Sequence, residues 1–519
     1  MSDTIDPRTP VIIGVGQVSD PIDSSEYHRW SAVDLAANAA RAAILDAGVD
    51  PATIDTVAGV RQFEISTPVA TAPLGKSNNY PRSVAARIGA APQRAVLEVA
   101  GGQSPQHLIT EFAGVIARDE AETVLIFGSE AISTTRALVG REDAPDFSEE
   151  IDGDLEDRGY GLDGLVDAAQ GEHALTGAPE QYALFDTARR LRNQNSREDY
   201  AREIGELFAP FTDVAAANPF AAAPVRRDAD DLMTVTERNR MIADPYPRFV
   251  VARDQVNQGA AVLLTSVASA RAAGVPEARW VYLHGHADLC ERTLLNRPDL
   301  STSPASVRAA AMAIERAGTS NDAISTFDLY SCFPIAVLNI TDGLGLSHVD
   351  ERGLTLTGGL PFFGGAGNNY SMHAVVETVH RLRQRPGTLG FVGANGGLLS
   401  KYSAAVYSTT YKPWVASSDE DAQHALDAAP TVPIVEHPTG PVTIETSTVK
   451  YGRGDAIGIV IGRDAEDRRF IATTVPGDTA TVTALLAEDP QERRLFAAHV
   501  GAHNFVALLE DTLRSVTAA

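Results

Sequence analysis

The chain has 519 residues, 44% of them apolar and 21% charged, a globular composition too long for one ordinary core, so two or three structural units are expected. A formal net charge of -25 argues against a nucleic-acid partner, because phosphate binding needs a basic footprint, while small anions stay open to local donors. The only cysteines, Cys290 and Cys332, exclude a disulfide framework and suit a reducing cytoplasm; the acidic, proline-bearing start does not read as a secretory signal, and no run approaches the roughly 20 apolar residues of a membrane span.

The opening strand, residues 11–13, leads through Gly14-Val15-Gly16 to a helix over 31–47, with Ser31 as N-cap, Asp34 three residues on and Gly48 as its stop. A Gly-x-Gly after a strand invites a dinucleotide-binding reading. Ser19 holds the third glycine's place, however, and Asp20, Pro21 and Asp23 intervene before the helix, so no helix N-terminus faces a pyrophosphate. Apolar runs at 95–99, 123–127 and 260–264 read as strands between helices, which predicts a mostly parallel sheet covered by helices. A second succession follows, with strand 280–283, helix 304–317, strand 325–329, helix 333–343 and strands near 390–392 and 404–407. The repetition predicts a duplicated α/β core of layered sheets, with its first half in 1–270 and its second in 271–414.

Within the first half, about 141–241 turns acidic and then polar and Pro-rich, and reads as an inserted loop domain over the active-site face. The polar, Pro-containing stretch 415–433 marks a boundary. Beyond it, 430–519 reads as an additional small β-rich domain. Its predicted strands are 442–450, 456–462, 470–475 and 479–485, and a final helix over 491–516 caps a barrel or sandwich. A core of its own predicts that a chain cut near residue 430 stays soluble. Arg453-Gly454-Asp455 reads as a turn rather than an adhesion motif.

Five segments carry a family resemblance. Residues 96–131 run strand, Gly-rich turn with Gly102-Gln103-Ser104, helix and strand, ending in Gly128-Ser129-Glu130-Ala131; 254–266 contain Asn257-Gln258-Gly259-Ala260-Ala261. Then come Asp328-Leu329-Tyr330-Ser331-Cys332-Phe333, Gly358-Gly359 with Gly364-Gly365-Ala366, and Ala394-Asn395-Gly396-Gly397. In this order and spacing the chain from residue 10 to about 410 resembles the thiolase superfamily. It is most similar to the sterol-carrier-type, acetyl-CoA acetyltransferase-like branch, in the thiolase-like form with an additional C-terminal domain.

The resemblance also shows what is missing. Gly102 stands where the nucleophilic cysteine is expected, Tyr330 where an Asn or His holds the catalytic water, Gly365 where a histidine completes the oxyanion hole, and Ala394 where the acid/base cysteine sits. A covalent acyl-enzyme needs an activated nucleophile beside a base. Loss of one oxyanion donor alone costs ~10²–10³ in rate, so thiolysis and condensation of the ordinary thiolase kind are predicted absent.

The resemblance implies a protein that binds acyl-CoA thioesters, with acyl transfer or C–C bond chemistry that does without cysteine. Two alternatives stand beside it: retro-aldol cleavage of a β-hydroxyacyl-CoA through Tyr330, and acyl-CoA or lipid binding without catalysis. The first rests on the sterol side-chain aldolases, which are similar in having tyrosine in this slot and act with a partner carrying an oligonucleotide-binding-type barrel. Tyr330, Tyr370 and His373 are the catalytic candidates, and Gly102, Ser104, Gly364, Gly365, Asn368, Asn395 and Gly396 the substrate-binding ones.

No cofactor beyond the CoA thioester is expected, and no metal, since His284, His286, Asp288 and Cys290 read as a strand exit. Cys332 reads as a buried structural thiol. The expected partner is acyl-CoA, with no nucleic acid. Homodimerisation through the edge of the first sheet, as in thiolases, and a monomer whose terminal domain covers that edge are both open.

Overall fold

The computed structural model describes residues 5–162, 165–452 and 454–517; Arg453 of the Arg-Gly-Asp triplet lies outside them. Strand β1 (Pro10–Ser19) leads to helix α1 (Ala32–Ala47), which opens on the expected capping box: Ser31 Oγ accepts from Asp34 N, and Asp34 Oδ2 accepts from Ser31 N, both at 3.1 Å. Gly48 closes it at φ 70°. Gly14 and Gly16 serve packing. A Cβ there would lie 2.2 Å from the Ala43 oxygen or 2.3 Å from the Ala39 oxygen, so α1 can lie on the strand only over glycine. Next come β2 (Thr56–Gly59), α2 (Tyr80–Ile88), β3 (Arg94–Leu97), α3 (Ser104–Ala117), β4 (Thr123–Ala131) and α4 (Ile132–Leu138).

The insertion is largely helical rather than a set of loops. After the two-residue β5 (Glu156–Asp157) it contains α5 (Ala168–Glu172), α6 (Ala178–Arg192), α7 (Arg197–Ala217), α8 (Ala229–Met233) and a hairpin of β6 (Met241–Ala243) and β7 (Tyr246–Pro247). Charge hid these helices from the periodicity. α6 buries Arg189 by pairing it with Glu203 and Asp342 at 2.8 Å, while Tyr182, Phe185, Tyr200 and Phe208 enter the main core.

β8 (Asn257–Ser266) and α9 (Val267–Ala272) complete the first half. Its sheet has the order β1-β8-β4-β2-β3-β5; β8 is antiparallel to both neighbours, and β4, β2, β3 and β5 are parallel. The sheet is therefore mixed, not mostly parallel, because the chain enters β8 from the insertion and not from a crossover helix. The edge strand β3 is covered by β5 of the insertion, not by the terminal domain.

The second half holds β9 (Tyr282–Cys290), α10 (Pro304–Ala317), β10 (Ile324–Leu329), α11 (Pro334–Leu344), α12 (Tyr370–Gln384), β11 (Leu389–Gly396) and β12 (Lys401–Ser408). Its sheet order is β10-β11-β12-β9, with only the first pair parallel. One apolar cluster joins the two sheets: Val15, Ile126 and Val262 face Val392, Ala405 and Tyr407, and between them lie Ile109 and Phe112 of α3 and Met372 and Val375 of α12. α1 packs on the far face of the first sheet and α10 and α11 on that of the second. The central pair, α3 and α12, each begins at a Gly-rich turn, and the layering brings those two turns together.

After α13 (Glu420–Asp427) the tail departs from the predicted elements. β13 (Gly440–Lys450), β14 (Ile457–Arg463) and β15 (Arg469–Thr474) are strands as expected, but 479–485 forms a helix, α14 (Thr479–Leu485), capped by Asp478. The predicted final helix is instead β16 (Leu495–Val500), β17 (His503–Ala507) and a short α15 (Glu510–Thr517). Thr-rich sequence misleads at α14, where the cap outweighs β-propensity. At β16 and β17, pairing with the rest of the sheet overrides the helical reading.

The strands close as β13-β14-β15-β17-β16-β13, with β15 and β17 parallel and the other pairs antiparallel. This is the five-stranded topology of the oligonucleotide-binding barrel. The barrel has its own interior around Val460, Phe470 and Leu495. Its other side, with Ile459, Ile461 and Ile471, belongs to the main core. Among the described residues no helix is long and apolar enough to cross a membrane.

Candidate functional site

Both turns are held by side chains from across the molecule. Asn368 Oδ1 accepts from Gly101 N at 3.0 Å, while its Nδ2 donates to Arg61 O at 2.8 Å and Ser66 Oγ at 2.9 Å. Ser371 Oγ donates to Gly102 O at 2.6 Å, and Ser104 Oγ donates to Val99 O at 2.9 Å. Asn368 and Ser104 are thus committed to the scaffold. Gly365 N donates to Arg253 O at 2.8 Å, so that N–H is not available to a thioester either. The N–H groups of Gly102 and Gln103, at the start of α3, have no backbone acceptor among the described residues.

The nucleophile's space is filled. A Cβ on Gly102 would lie 2.3 Å from Tyr330 Oη and 2.5 Å from Asn395 O. Gly396 is equally crowded, with its Cβ position 1.9 Å from Gln103 Oε1. Gly364, at φ 120°, sits against Gln258. The phenol of Tyr330 therefore occupies the volume that a side chain at 102 would need, and the two positions are complementary in size.

Tyr330 and Tyr370 meet edge-on, with ring centroids 5.4 Å apart. Burial raises both phenols well above their ordinary pKa, so they are neutral and can donate. Tyr370 Oη bonds Thr357 Oγ1 at 2.5 Å. Thr357 in turn serves Asp328, whose Oδ2 accepts from Leu356 N, Thr357 N and both threonine hydroxyls. Burial pushes Asp328 up to about 6 despite these bonds.

Asn395 Nδ2 donates to Tyr182 Oη at 2.8 Å, with Cys332 Sγ at 3.7 Å, and burial pushes Cys332 up to about 12. Cys332 is a protonated, buried thiol. His373 lies away from this group. Its Nδ1 meets Gln17 Oε1 at 2.9 Å, its ring packs on Phe363, and burial depresses it to about 3. Neutral at any ordinary pH, it makes a poor proton carrier. Asp328 and Tyr182 were not among the sequence candidates. Asp328 carries a signal, as an acid within a slot motif; Tyr182 comes from the insertion and carries none.

The tail strengthens the family assignment. Residues 421–499 match the profile described as the additional C-terminal domain of thiolase-like protein type 1. Over 98% of this chain and all of the other, the fold matches the crystal structure of a monomeric SCP2-thiolase-like protein type 1 from Mycobacterium smegmatis, at 48% identity and a TM-score of 0.85. The chain belongs to the SCP2-thiolase-like proteins of type 1.

More distant likenesses show the thiolase fold alone. The Ltp2-ChsH2(DUF35) aldolase is 19% identical at a TM-score of 0.56, over 78% of this chain and 98% of that one. Human mitochondrial 3-ketoacyl-CoA thiolase is 18% identical at 0.52, over 78% and 100%. No curated protein matches.

This type-1 thiolase-like chain has a cleft of about 600 Å3 beside the second Gly-rich loop. Pro361 and Phe362 line it, and Arg253 hydrogen-bonds Leu360 and Gly365 through its backbone. Arg227, Arg238, Arg248 and Arg253 also line it. None of the four has a carboxylate ion-pair partner among the described residues. Arg227 instead lies over the Phe249 ring at 3.8 Å.

The His284–Cys290 segment is spread along β9 and does not converge on one point. His284 Nε2 meets Thr410 O at 2.7 Å, His286 stacks on Trp414, and Asp288 accepts from Ser403. The ligand atoms that do converge belong to Glu98, His107 and Glu111. Arg158 already bridges both of these glutamates at 2.6 Å, so a cation is in place.

Desolvation opposes protonation of His107, but the bond to Asp288 and the charges of Asp288, Glu98 and Glu111 outweigh it and hold the imidazole up to about 9. A raised folded pKa means this contribution is complete below about pH 6.5 and fades as pH rises through 9. NMR of the His107 ring should show that late titration in wild type and a return toward 6.5 in Asp288→Asn. A wild-type midpoint near 6.5 would show that the ion pair does not form.

Proposed function

We propose that the protein binds a CoA thioester non-covalently, with the nucleotide phosphates in the arginine cleft and the acyl carbonyl directed to the paired turns. The observation that carries this reading is four arginines, none ion-paired with a carboxylate among the described residues, against one acid in the cleft lining, Asp254, which pairs with Arg136, in a chain of net charge -25. Such a cluster focuses anions locally against a repulsive field, and CoA is strongly anionic at the nucleotide end. The N–H groups of Gly102 and Gln103, without an acceptor among the described residues, and the Tyr330 hydroxyl supply donors for a thioester oxygen. Gly102 and Ala394 supply no side chain there that could attack a thioester. The reading includes a monomer, supported by the β5 cover on β3, and a cytoplasmic protein, suited by its two free cysteines.

Calorimetry with CoA and acetyl-CoA tests it. Arg238→Glu with Arg248→Glu should weaken binding roughly ten-fold or more, since ~1.4 kcal/mol is ten-fold, and added salt should weaken the wild type toward the variant. Equal affinity of wild type and variant for CoA would place the ligand elsewhere.

Retro-aldol chemistry is the second reading, favoured by one fact: the Tyr330 hydroxyl is neutral and has no hydrogen-bond partner among the described residues. In that role it donates to an enolate or alkoxide rather than acting as base. Tyr330→Phe keeps the ring, so turnover of a β-hydroxyacyl-CoA should fall ~10²-fold with affinity little changed. Wild-type turnover by the variant removes the aldolase reading.

A further inference from the structure

A second cavity lies where α6, α7 and the β6–β7 hairpin meet, and it shares no lining residue with the arginine cleft. Its volume is about 190 Å3. That is room for several waters and less than the roughly 300–1,000 Å3 of sites for drug-sized ligands. Ala201, Met233, Met241 and Pro247 give it apolar walls, while its charged lining is Arg190, Arg197 and Asp244.

The charges do not balance. Arg197 is ion-paired with Asp244, which leaves Arg190 without a counter-ion in the cavity. The Arg190 side chain is only 5% exposed, and its nearest carboxylate is the exposed Glu488, 3.9 Å away. It donates to Asn195 O at 3.0 Å and Glu488 O at 2.8 Å. A guanidinium carries five N–H donors, and these carbonyls account for two. A buried charge whose carboxylate neighbour is exposed is costly, and here it borders a cavity walled in part by Ala201, Met233, Met241 and Pro247.

We propose that this cavity binds a small carboxylic acid, with its carboxylate on Arg190 and a short apolar body against Met233, Met241 and Pro247. The cavity lining itself carries two arginines and one carboxylate, with Glu488 reaching Arg190 at 3.9 Å from outside it, so a monoanion would balance the lining. Apolar walls favour a ligand with a hydrocarbon part over a bare inorganic anion, which gains nothing from them. Because Arg190 also holds the Glu488 carbonyl of the barrel, such a ligand would sit at the joint between insertion and barrel.

Calorimetry on the full chain with hexanoate tests the site, with hexanol and inorganic phosphate as comparison probes. Hexanoate should bind, and the other two should bind about ten-fold more weakly or worse. Met241→Trp, which fills the cavity without changing charge, should abolish hexanoate binding, and Arg190→Gln should weaken it about ten-fold or more. If Arg190→Gln does not fold, Met241→Trp and the hexanol comparison decide. The proposal is overturned if hexanoate fails to bind wild type, if Met241→Trp or a folded Arg190→Gln binds it as well as wild type does, or if hexanol or phosphate binds as tightly.

Discussion

Removal of residues 431–519 should leave a chain that aggregates or melts far below the full-length protein. Ile459, Ile461 and Ile471 of the barrel are at most 2% exposed and belong to the same apolar cluster as Phe327 and Leu329 of the second half. Burying an isoleucine-sized apolar surface is worth ~1.5–3 kcal/mol, so exposing core surface matching these three side chains forfeits roughly 5–9 kcal/mol against a typical net stability of about 5–15.

The polar contacts point the same way. Arg469 is fully buried, ion-pairs with Glu445, and donates to Leu295 O at 2.8 Å and to Arg297 O. Thr446 donates to Leu184 O at 2.6 Å and Thr448 to Asp244 O at 2.8 Å. Cutting the chain at the linker removes the donors to those four carbonyls and leaves water to replace them on a newly exposed apolar face. Size-exclusion chromatography and thermal melting of the truncated chain check this. A monodisperse core with a single cooperative transition close to the full-length one would mean the barrel is a separable appendage.

The sequence alone predicts a soluble truncated core, because the linker is polar and the barrel has an interior of its own. Nothing local distinguishes a strand whose outer face meets water from one whose outer face meets another core. Ile459 and Ile461 alternate with Val460, a pattern that fits a two-sided buried strand but does not say what covers the second side.

Where the determinants are local, sequence and structure agree to the residue. The capping box at Ser31 and the stop at Gly48 are set within one turn, and α10 spans the predicted residues. Three of the motif slots were legible because they place glycines at chain reversals, at Gly101-Gly102, Gly358-Gly359 with Gly364-Gly365, and Gly396-Gly397. What the sequence could not convey was the use of each slot. Asn368 and Ser104, read as substrate contacts, hold backbone instead, and His373, read as a proton carrier, is sealed against Gln17 and Phe363. Those outcomes depend on partners from distant segments, Arg61, Val99 and Gln17 among them.

The pairing of Gly102 with Tyr330 is a long-range relation of the same kind, and it predicts that restoring the cysteine fails. In Gly102→Cys the new Cβ falls 2.3 Å from Tyr330 Oη, too close for any side chain to tolerate without movement. Overpacking of this sort costs about 1–3 kcal/mol, and the melting temperature should drop accordingly. A thiol at the start of α3 would gain thiolate character from the helix terminus, yet Gly365 and Ala394 supply neither oxyanion donor nor acid/base partner.

Incubation with acetoacetyl-CoA followed by intact-mass analysis should therefore show no acyl adduct that turns over. The double variant Gly102→Cys with Tyr330→Ala separates space from chemistry. Truncating the tyrosine removes its part of the clash but leaves the Asn395 carbonyl 2.5 Å from the new Cβ, so the cysteine should be relieved only in part, and the double variant should be more stable than the sum of the single effects by ~0.5–3 kcal/mol. It should still lack thiolysis, because room for a sulfur does not restore the base. Additive stabilities would show that Tyr330 does not fill the nucleophile's place. Thiolysis by the double variant would show that Tyr330 alone had silenced an otherwise competent site.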